Sequence, residues 1–98
     1  MSKFSELTSS NKPVLVDFFA EWCGPCKTML PILQDVKAEL KEEVSIIKIN
    51  VDKNQRLASN YNIRSIPTLI LFKQGAIKWK QSGIVDTSTL IHVIKRHL

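Results

Sequence analysis

Two cysteines, Cys23 and Cys26, lie between a strand-like and a helix-like segment, and this placement limits the fold more than any other feature of the chain. The apolar run VLVDFF at residues 14–19 precedes the pair, and a pattern typical of a helix follows from Lys27. The pair therefore opens a helix that comes directly after a strand. Because these are the only cysteines in the chain, their spacing is typical of a redox-active dithiol or of half a metal site.

The position of the pair favours reactivity at its first thiol. A thiol in the first helical turn lies near unpartnered backbone N–H groups and the positive end of the helix dipole, which both favour the thiolate. We therefore expect Cys23 to be the more acidic sulfur. Pro25 suits the first turn, where its missing N–H would have no partner, and Gly24 removes bulk beside the sulfur. With Trp22 on the other side, a partner protein could approach Cys23 while Cys26 stays beneath the helix.

Hydrophobic periodicity predicts four strands and four helices. The predicted strands cover residues 14–19, 44–51, 68–72 and 76–80, with Gln74 and Gly75 in the turn between the last two. The first two predicted helices cover residues 3–8 and 26–41. A third, short helix begins at a capping box of Asp52 and Gln55 and ends near Tyr61. The last helix begins at residue 86 or 87 and has four apolar residues on one face: Leu90, Ile91, Ile94 and Leu98. Pro31 should kink the second helix without ending it.

This order of elements predicts an α/β fold. Two helical crossovers followed by a hairpin and a helix imply a mixed four-stranded sheet covered by helices on both faces. Ninety-eight residues, 44% of them apolar, can build one core, so we expect a single domain over residues 1–98. Because the first dozen residues lack the apolar stretch of a signal peptide, and no segment approaches the roughly 20 apolar residues of a membrane span, we expect a cytoplasmic protein without membrane contact.

Two motifs make the chain resemble the thioredoxin family: WCGPCK at residues 22–27 after an apolar strand, and SIPT at residues 65–68. The resemblance extends over residues 14–98, and CGPC is the variety associated with disulfide reduction. It implies the thioredoxin fold and thiol–disulfide exchange, in which Cys23 attacks a disulfide of a partner protein and Cys26 resolves the mixed disulfide. It also implies disulfide-containing protein substrates, no bound cofactor, and a thioredoxin reductase, a flavoprotein drawing on NADPH, as the source of electrons.

Asp17 and Lys48 are charged residues within apolar runs. Asp17 shares a strand face with Leu15 and Phe19, where a carboxylate loses hydration and its pKa should rise. By resemblance, it is the buried acid that takes the proton of the resolving thiol of Cys26, and Lys48 is the lysine that moderates its ionisation. The alternatives are a strand-end aspartate that reaches solvent and a lysine solvated at a sheet edge.

The SIPT motif and a downstream glycine supply the expected substrate surface. By resemblance, the Ile66–Pro67 bond is cis and faces the dithiol, which leaves the backbone of Ile66 free to bind an extended substrate segment as an added strand would. Gly83 completes this surface by letting the substrate backbone pass close by. The alternatives are an ordinary trans proline before a strand and a glycine in a simple strand-end turn.

The chain departs from the family pattern in three places. The family normally begins with an extra strand, which would pair with the edge that residues 44–51 leave open here. We hypothesise that residues 1–12 partly shield this edge, or that an otherwise monomeric protein forms a weak dimer through it. Phe19 stands where the family often has Trp, and Ser82 precedes Gly83 in place of an aliphatic residue, which makes the substrate groove slightly more polar.

Other classes of function fit the sequence less well. Cys23 and Cys26 with His92 and His97 formally supply a zinc site, but the histidines lie too far along the chain for a compact zinc finger, so we expect no metal. A non-enzymatic clamp using the same apolar surface remains the second alternative. The net charge of +5 comes from scattered basic residues without interleaved aromatics, so we expect no nucleic-acid binding.

Overall fold

The computed structural model describes residues 3–98, which form a four-stranded mixed sheet with helices on both faces. The strands are β1 (Val14–Phe19), β2 (Ser45–Asn50), β3 (Thr68–Lys73) and β4 (Ala76–Ser82). The helices are α1 (Lys3–Thr8), α2 (Gly24–Leu40), α3 (Gln55–Asn60) and α4 (Thr87–Lys95), with a 3-10 turn at Lys41–Glu43. The predicted fold class is confirmed. Between residues 3 and 98, no helix has the length and apolar character needed to cross a membrane.

The strand order is β2-β1-β3-β4, with β1 parallel to β2 and β3 antiparallel to both of its neighbours. The central strands β1 and β3 are buried at every position but the last, as expected for strands covered on both faces. The strand β2 lies at the edge of the sheet, and in the described residues no further strand covers it. The sheet formed by residues 3–98 therefore lacks the first strand of the family pattern, as the sequence predicts.

Side chains of the sheet alternate between two apolar layers, as the period of two along a strand requires. One layer packs against α2 and α4; its buried members include Leu15, Met29, Leu33, Val36, Leu40, Leu69, Leu71, Leu90 and Ile94. The other layer lies on the side of α1 and α3; its buried members are Phe4, Val14, Val16, Phe18, Ile70 and Phe72. Burying each such leucine or phenylalanine contributes roughly 2 kcal/mol. The two layers fix β1 and α2, the elements that meet at the cysteines.

The helix α2 continues through Pro31, as predicted. Its first turn contains Pro25, also as predicted, and Cys23 is its N-cap residue. Beyond Pro31, Leu33, Val36 and Leu40 are buried against the sheet and hold the whole helix in place. The start of the helix is therefore fixed by packing along its length.

Two predicted helix ends are wrong. The helix α3 has Asn54 as its N-cap residue and no side-chain cap, so the expected capping box does not form; the Asp52 side chain hydrogen-bonds elsewhere. The helix α4 ends at Lys95, and Leu98, expected on its apolar face, is half-exposed. In both places the residue pattern suited a helix. At α3, the Asp52 side chain bonds to another residue instead of capping the helix, and at the end of α4, Leu98 has no core to pack against.

The segment before β1, which contains α1, does not pack against the open edge of β2, where the sequence predicted it. The ring of Phe4 contacts those of Tyr61 and Phe72, with centroids 5.6 and 5.7 Å apart. The carbonyl oxygen of Thr8 accepts a hydrogen bond from Gly75 N–H, in the turn between β3 and β4. These contacts hold the segment against the α3 layer and the β3–β4 turn, so they do not provide the predicted shielding of β2. The first two residues, which that hypothesis included, lie outside the described residues.

Candidate active site

Cys23 and Cys26 lie where β1 leads into α2, and they form a disulfide with 5.3 Å between their Cα atoms. Because Cys23 is the N-cap residue, its Sγ accepts a hydrogen bond of 3.2 Å from the backbone N–H of Cys26. The same N–H would stabilise a thiolate after reduction, in addition to the helix dipole. The prediction that the pair opens a helix is confirmed.

Both cysteines are almost completely buried, with 4% of Cys23 and 3% of Cys26 exposed. The expected contrast, an accessible Cys23 above a covered Cys26, is therefore absent from the disulfide form. The reason is that Phe19, Val51 and Ile66 pack against the pair. A partner must come close to this rim before it can react with the first sulfur.

The residues between the cysteines leave room for such an approach. Gly24 and Pro25 are exposed, and a Cβ atom added at Gly24 would meet no atom within 4 Å. Gly24 is thus free of packing constraints from the rest of the described chain, which agrees with its predicted part in removing bulk beside Cys23.

The SIPT loop approaches the disulfide from the side of β3. The Ile66–Pro67 bond is cis, as expected, and the carbonyl oxygen of Ile66 lies 3.8 Å from Cys23 Sγ. The N–H of Gly83 donates to the carbonyl oxygen of Pro67 at 2.8 Å. Gly83 has φ of +89°, a conformation that favours glycine, so the structure also satisfies the plainer interpretation of a turn at the end of β4.

Asp17 is fully buried, which excludes a side chain reaching solvent. Neither of its carboxylate oxygens has a hydrogen-bond partner among the described residues. Burial raises the pKa of Asp17 from 3.8 to about 6, and the positive charge of Lys48 opposes this rise. A buried acid without partners is costly, which makes Asp17 a candidate for a chemical role.

Lys48 is the direct neighbour of Asp17 across the parallel pairing of β1 and β2. It is nevertheless exposed, as the alternative of a solvated edge lysine required. The two interpretations are compatible, because a lysine at an uncovered edge can keep its ammonium group in water and still act on the neighbouring carboxylate through its charge.

Trp22 is 71% exposed and lies at the rim of the site. Its Nε1–H donates to Asp52 Oδ2 at 2.8 Å, which fixes the orientation of the indole. Sequence reasoning assigned Asp52 to a helix cap and missed this role, because the two residues are 30 positions apart and no local pattern links them. A shallow cleft of about 240 Å³ between Phe19 and Leu30 includes Cys26 in its lining. A second cleft, of about 180 Å³, lies between Trp22 and Ile66.

The zinc alternative finds no support in the part of the chain that the structure describes. Between residues 3 and 98, no three or more His, Cys, Asp or Glu side chains cluster in a way that could hold a metal ion. His92 lies on α4, whereas both cysteines are bonded to each other at the start of α2.

Comparison with known proteins agrees with this geometry. The family model described as Thioredoxin matches residues 2–96. A thioredoxin of Rickettsia prowazekii is 43% identical over 96% of this chain and 90% of its own length, and thioredoxin 1 of Synechococcus elongatus is 42% identical over 95% and 87%. The structure of a mutant thioredoxin from Halobacterium salinarum superimposes with a TM-score of 0.88 at 36% identity, covering 99% of this chain and 84% of the other.

Proposed function

Because this chain belongs to the thioredoxin family, it is a thiol–disulfide oxidoreductase that reduces protein disulfides through Cys23 and Cys26, and we propose that it is a general electron donor in the cytoplasm. The observation that carries the proposal is the disulfide at the start of α2 facing the cis-proline loop. Once reduced to the dithiol, such a pair holds two electrons that it can pass to another disulfide, and it becomes the disulfide again without any further redox group.

The proposed reaction takes two steps. The thiolate of Cys23 attacks a disulfide of a partner protein, forming a mixed disulfide and releasing one partner thiolate. The thiolate of Cys26 then attacks Cys23 Sγ, which closes the internal disulfide and releases the second partner thiolate. The partner gains two electrons and the Cys23–Cys26 pair loses them.

We propose that Asp17 accepts the proton of the Cys26 thiol before the second step. Its pKa of about 6 means that it is mostly ionised at neutral pH, and a buried carboxylate without hydrogen bonds is ready to take a proton. Lys48, through its charge, keeps the carboxylate ionised down to a lower pH than burial alone would allow.

Removing the charge of Lys48 should raise the pKa of Asp17. In Lys48→Met we expect the pKa to lie above the value of about 6, because the opposing positive charge is lost while the burial stays. An NMR titration of the Asp17 carboxyl carbon measures it. Lys78→Met is the matched control, since Lys78 is an exposed lysine on β4, at the other edge of the sheet. An equal or lower pKa in Lys48→Met would contradict the role of Lys48.

Four residues form the proposed substrate surface: Trp22, Ile66, Pro67 and Gly83. They fit this role because Trp22 is exposed, the carbonyl oxygen of Ile66 lies near Cys23 Sγ, and Gly83 is bonded to Pro67. An extended segment of the partner on either side of its disulfide would bind here through its backbone. Gly24 and Pro25 leave the space in which that segment meets the sulfur.

The remaining proposals concern partners and assembly. We propose that residues 1–98 form a single domain that binds no cofactor of its own and receives its electrons from a thioredoxin reductase, a flavoprotein that uses NADPH. We further propose that the protein is a monomer which associates weakly, at high concentration, through the open edge of β2.

The reduction potential of the Cys23–Cys26 pair tests the proposed direction of electron flow. We expect it to be more reducing than glutathione by at least about 30 mV, which corresponds to a tenfold bias for a two-electron couple. Equilibration with glutathione and with a dithiol of known potential measures it, with Cys23→Ser as the blank. A potential more oxidising than that of glutathione would instead indicate oxidation or isomerisation of disulfides.

A further inference from the structure

Three residues around the cis-proline loop form a short chain of hydrogen bonds. The hydroxyl of Thr68, the residue after Pro67, donates to the carbonyl oxygen of Ser65 at 2.7 Å. The hydroxyl oxygen of Thr68 also lies 2.9 Å from the hydroxyl oxygen of Ser82, and the two residues are direct neighbours across the pairing of β3 and β4. Thr68 is buried, whereas Ser82 is exposed.

The direction of these bonds follows from the number of protons. A hydroxyl group has one proton to donate and can accept two hydrogen bonds. Since Thr68 gives its proton to Ser65, the hydrogen bond between the hydroxyls must be donated by Ser82. The chain therefore runs from Ser82 through Thr68 to the backbone of Ser65, and an aliphatic side chain at position 82 would have no donor to begin it.

This chain of hydrogen bonds ends on the cis-proline loop, which faces the Cys23–Cys26 pair. The last acceptor is the carbonyl oxygen of Ser65, and the next residue, Ile66, has its carbonyl oxygen 3.8 Å from Cys23 Sγ. On the other side, Gly83, which follows Ser82, bonds to the carbonyl oxygen of Pro67. The end of β4 thus holds the loop at two points, once by its backbone and once by the Ser82 side chain.

We propose that Ser82 is a positioning residue for substrate binding, which holds residues 65–67 through Thr68 in the arrangement that the backbone of a substrate protein binds. The inference rests on the proposed role of Ile66 in the substrate surface. A loop already ordered loses less conformational freedom on binding, so the hydroxyl of Ser82 should favour binding of an extended segment. It does not touch the sulfurs, so it should leave the exchange step itself unchanged.

The test measures how the Ser82→Ala variant reduces two different disulfide substrates. Insulin offers disulfides within a polypeptide backbone, whereas the aromatic disulfide DTNB has no backbone to bind. With insulin we expect KM to rise between about twofold and tenfold, the range of one lost hydrogen bond, with kcat unchanged. With DTNB we expect the rate to stay at that of the parent protein. Ser82→Thr, which keeps the hydroxyl, should retain the parent KM.

A second variant tests whether Ser82 acts through Thr68. In a Thr68→Val background, Ser82→Ala should cause no further rise in KM, because the chain is already broken. A further rise there would overturn the proposed route. Two results would overturn the positioning role while leaving the proposed function intact. One is an unchanged KM for insulin in Ser82→Ala, and the other is a loss of activity that is as large with DTNB as with insulin. A parent protein inactive on both disulfides would overturn the proposed function and this inference with it.

Discussion

Serine in place of Cys23 is expected to lower the rate of insulin reduction to that of the uncatalysed reaction. A serine hydroxyl at this position is not ionised at neutral pH, even beside the Cys26 N–H and at the start of a helix, so nothing attacks the substrate disulfide. The measurement is the rate of insulin precipitation in dithiothreitol, relative to that of dithiothreitol alone.

Cys26→Ser serves as the matched variant, because it removes only the resolving thiol. It should still react once and then remain bonded to its partner through Cys23, which mass spectrometry of the product detects. A double variant with both cysteines replaced distinguishes an enzyme from a clamp. Full activity of that variant in any assay of the protein's function would support the clamp and contradict the exchange mechanism.

Replacing Asp17 by asparagine is expected to stabilise the fold at neutral pH. A pKa raised from 3.8 to about 6 corresponds to a cost of roughly 3 kcal/mol for the ionised form in the folded protein. The asparagine amide is neutral but also lacks partners at this site, so the net gain should lie between about 1 and 3 kcal/mol.

The sign of the pH dependence follows from the same pKa values. Below pH 3.8 the carboxyl is protonated in both the folded and the unfolded chain, and burial of Asp17 costs nothing in ionisation. As the pH rises from 3.8, the unfolded chain loses this proton first, so the parent protein becomes less stable relative to Asp17→Asn. The difference is complete above about pH 6 to 7.

Urea denaturation of the oxidised proteins at pH 4 and pH 8 measures this difference. The gain from Asp17→Asn should be large at pH 8 and close to zero or negative at pH 4. Asp35→Asn, an exposed position on α2, is the control and should change the free energy of unfolding by less than about 0.5 kcal/mol at either pH. A loss of stability at pH 8 in Asp17→Asn would show that the carboxylate has a stabilising partner.

Much of the fold could be predicted from local patterns in the sequence. The bounds of α1 and β1 agree with the prediction, because each is a short segment with a clear pattern and a clear end. The burial of Asp17 also followed from its place in an apolar run that alternates between the faces of a central strand. The cis bond before Pro67 was expected only from the family resemblance, since most X–Pro bonds are trans.

Apart from the early end of α4, the errors share a physical cause, which is contact between distant parts of the chain. Asp52 hydrogen-bonds to Trp22 rather than capping α3. Val51 and Ile66, which are distant in sequence, pack against the buried cluster that contains Cys23. The segment that contains Phe4 packs on the α3 layer instead of the open edge. The bond between Ser82 and Thr68 is of the same kind, because only the pairing of β3 and β4 brings the two hydroxyls together.

The open edge of β2 gives the positive net charge of this small protein a physical consequence. An uncovered edge strand can pair with the same edge of another molecule, whereas a charge of +5 on every copy repels it. Salt at 0.1 M limits such repulsion to about 10 Å, so the repulsion weakens as the ionic strength rises. We therefore expect association in concentrated solutions to depend on the balance between the uncovered edge of β2 and the charge of the whole surface.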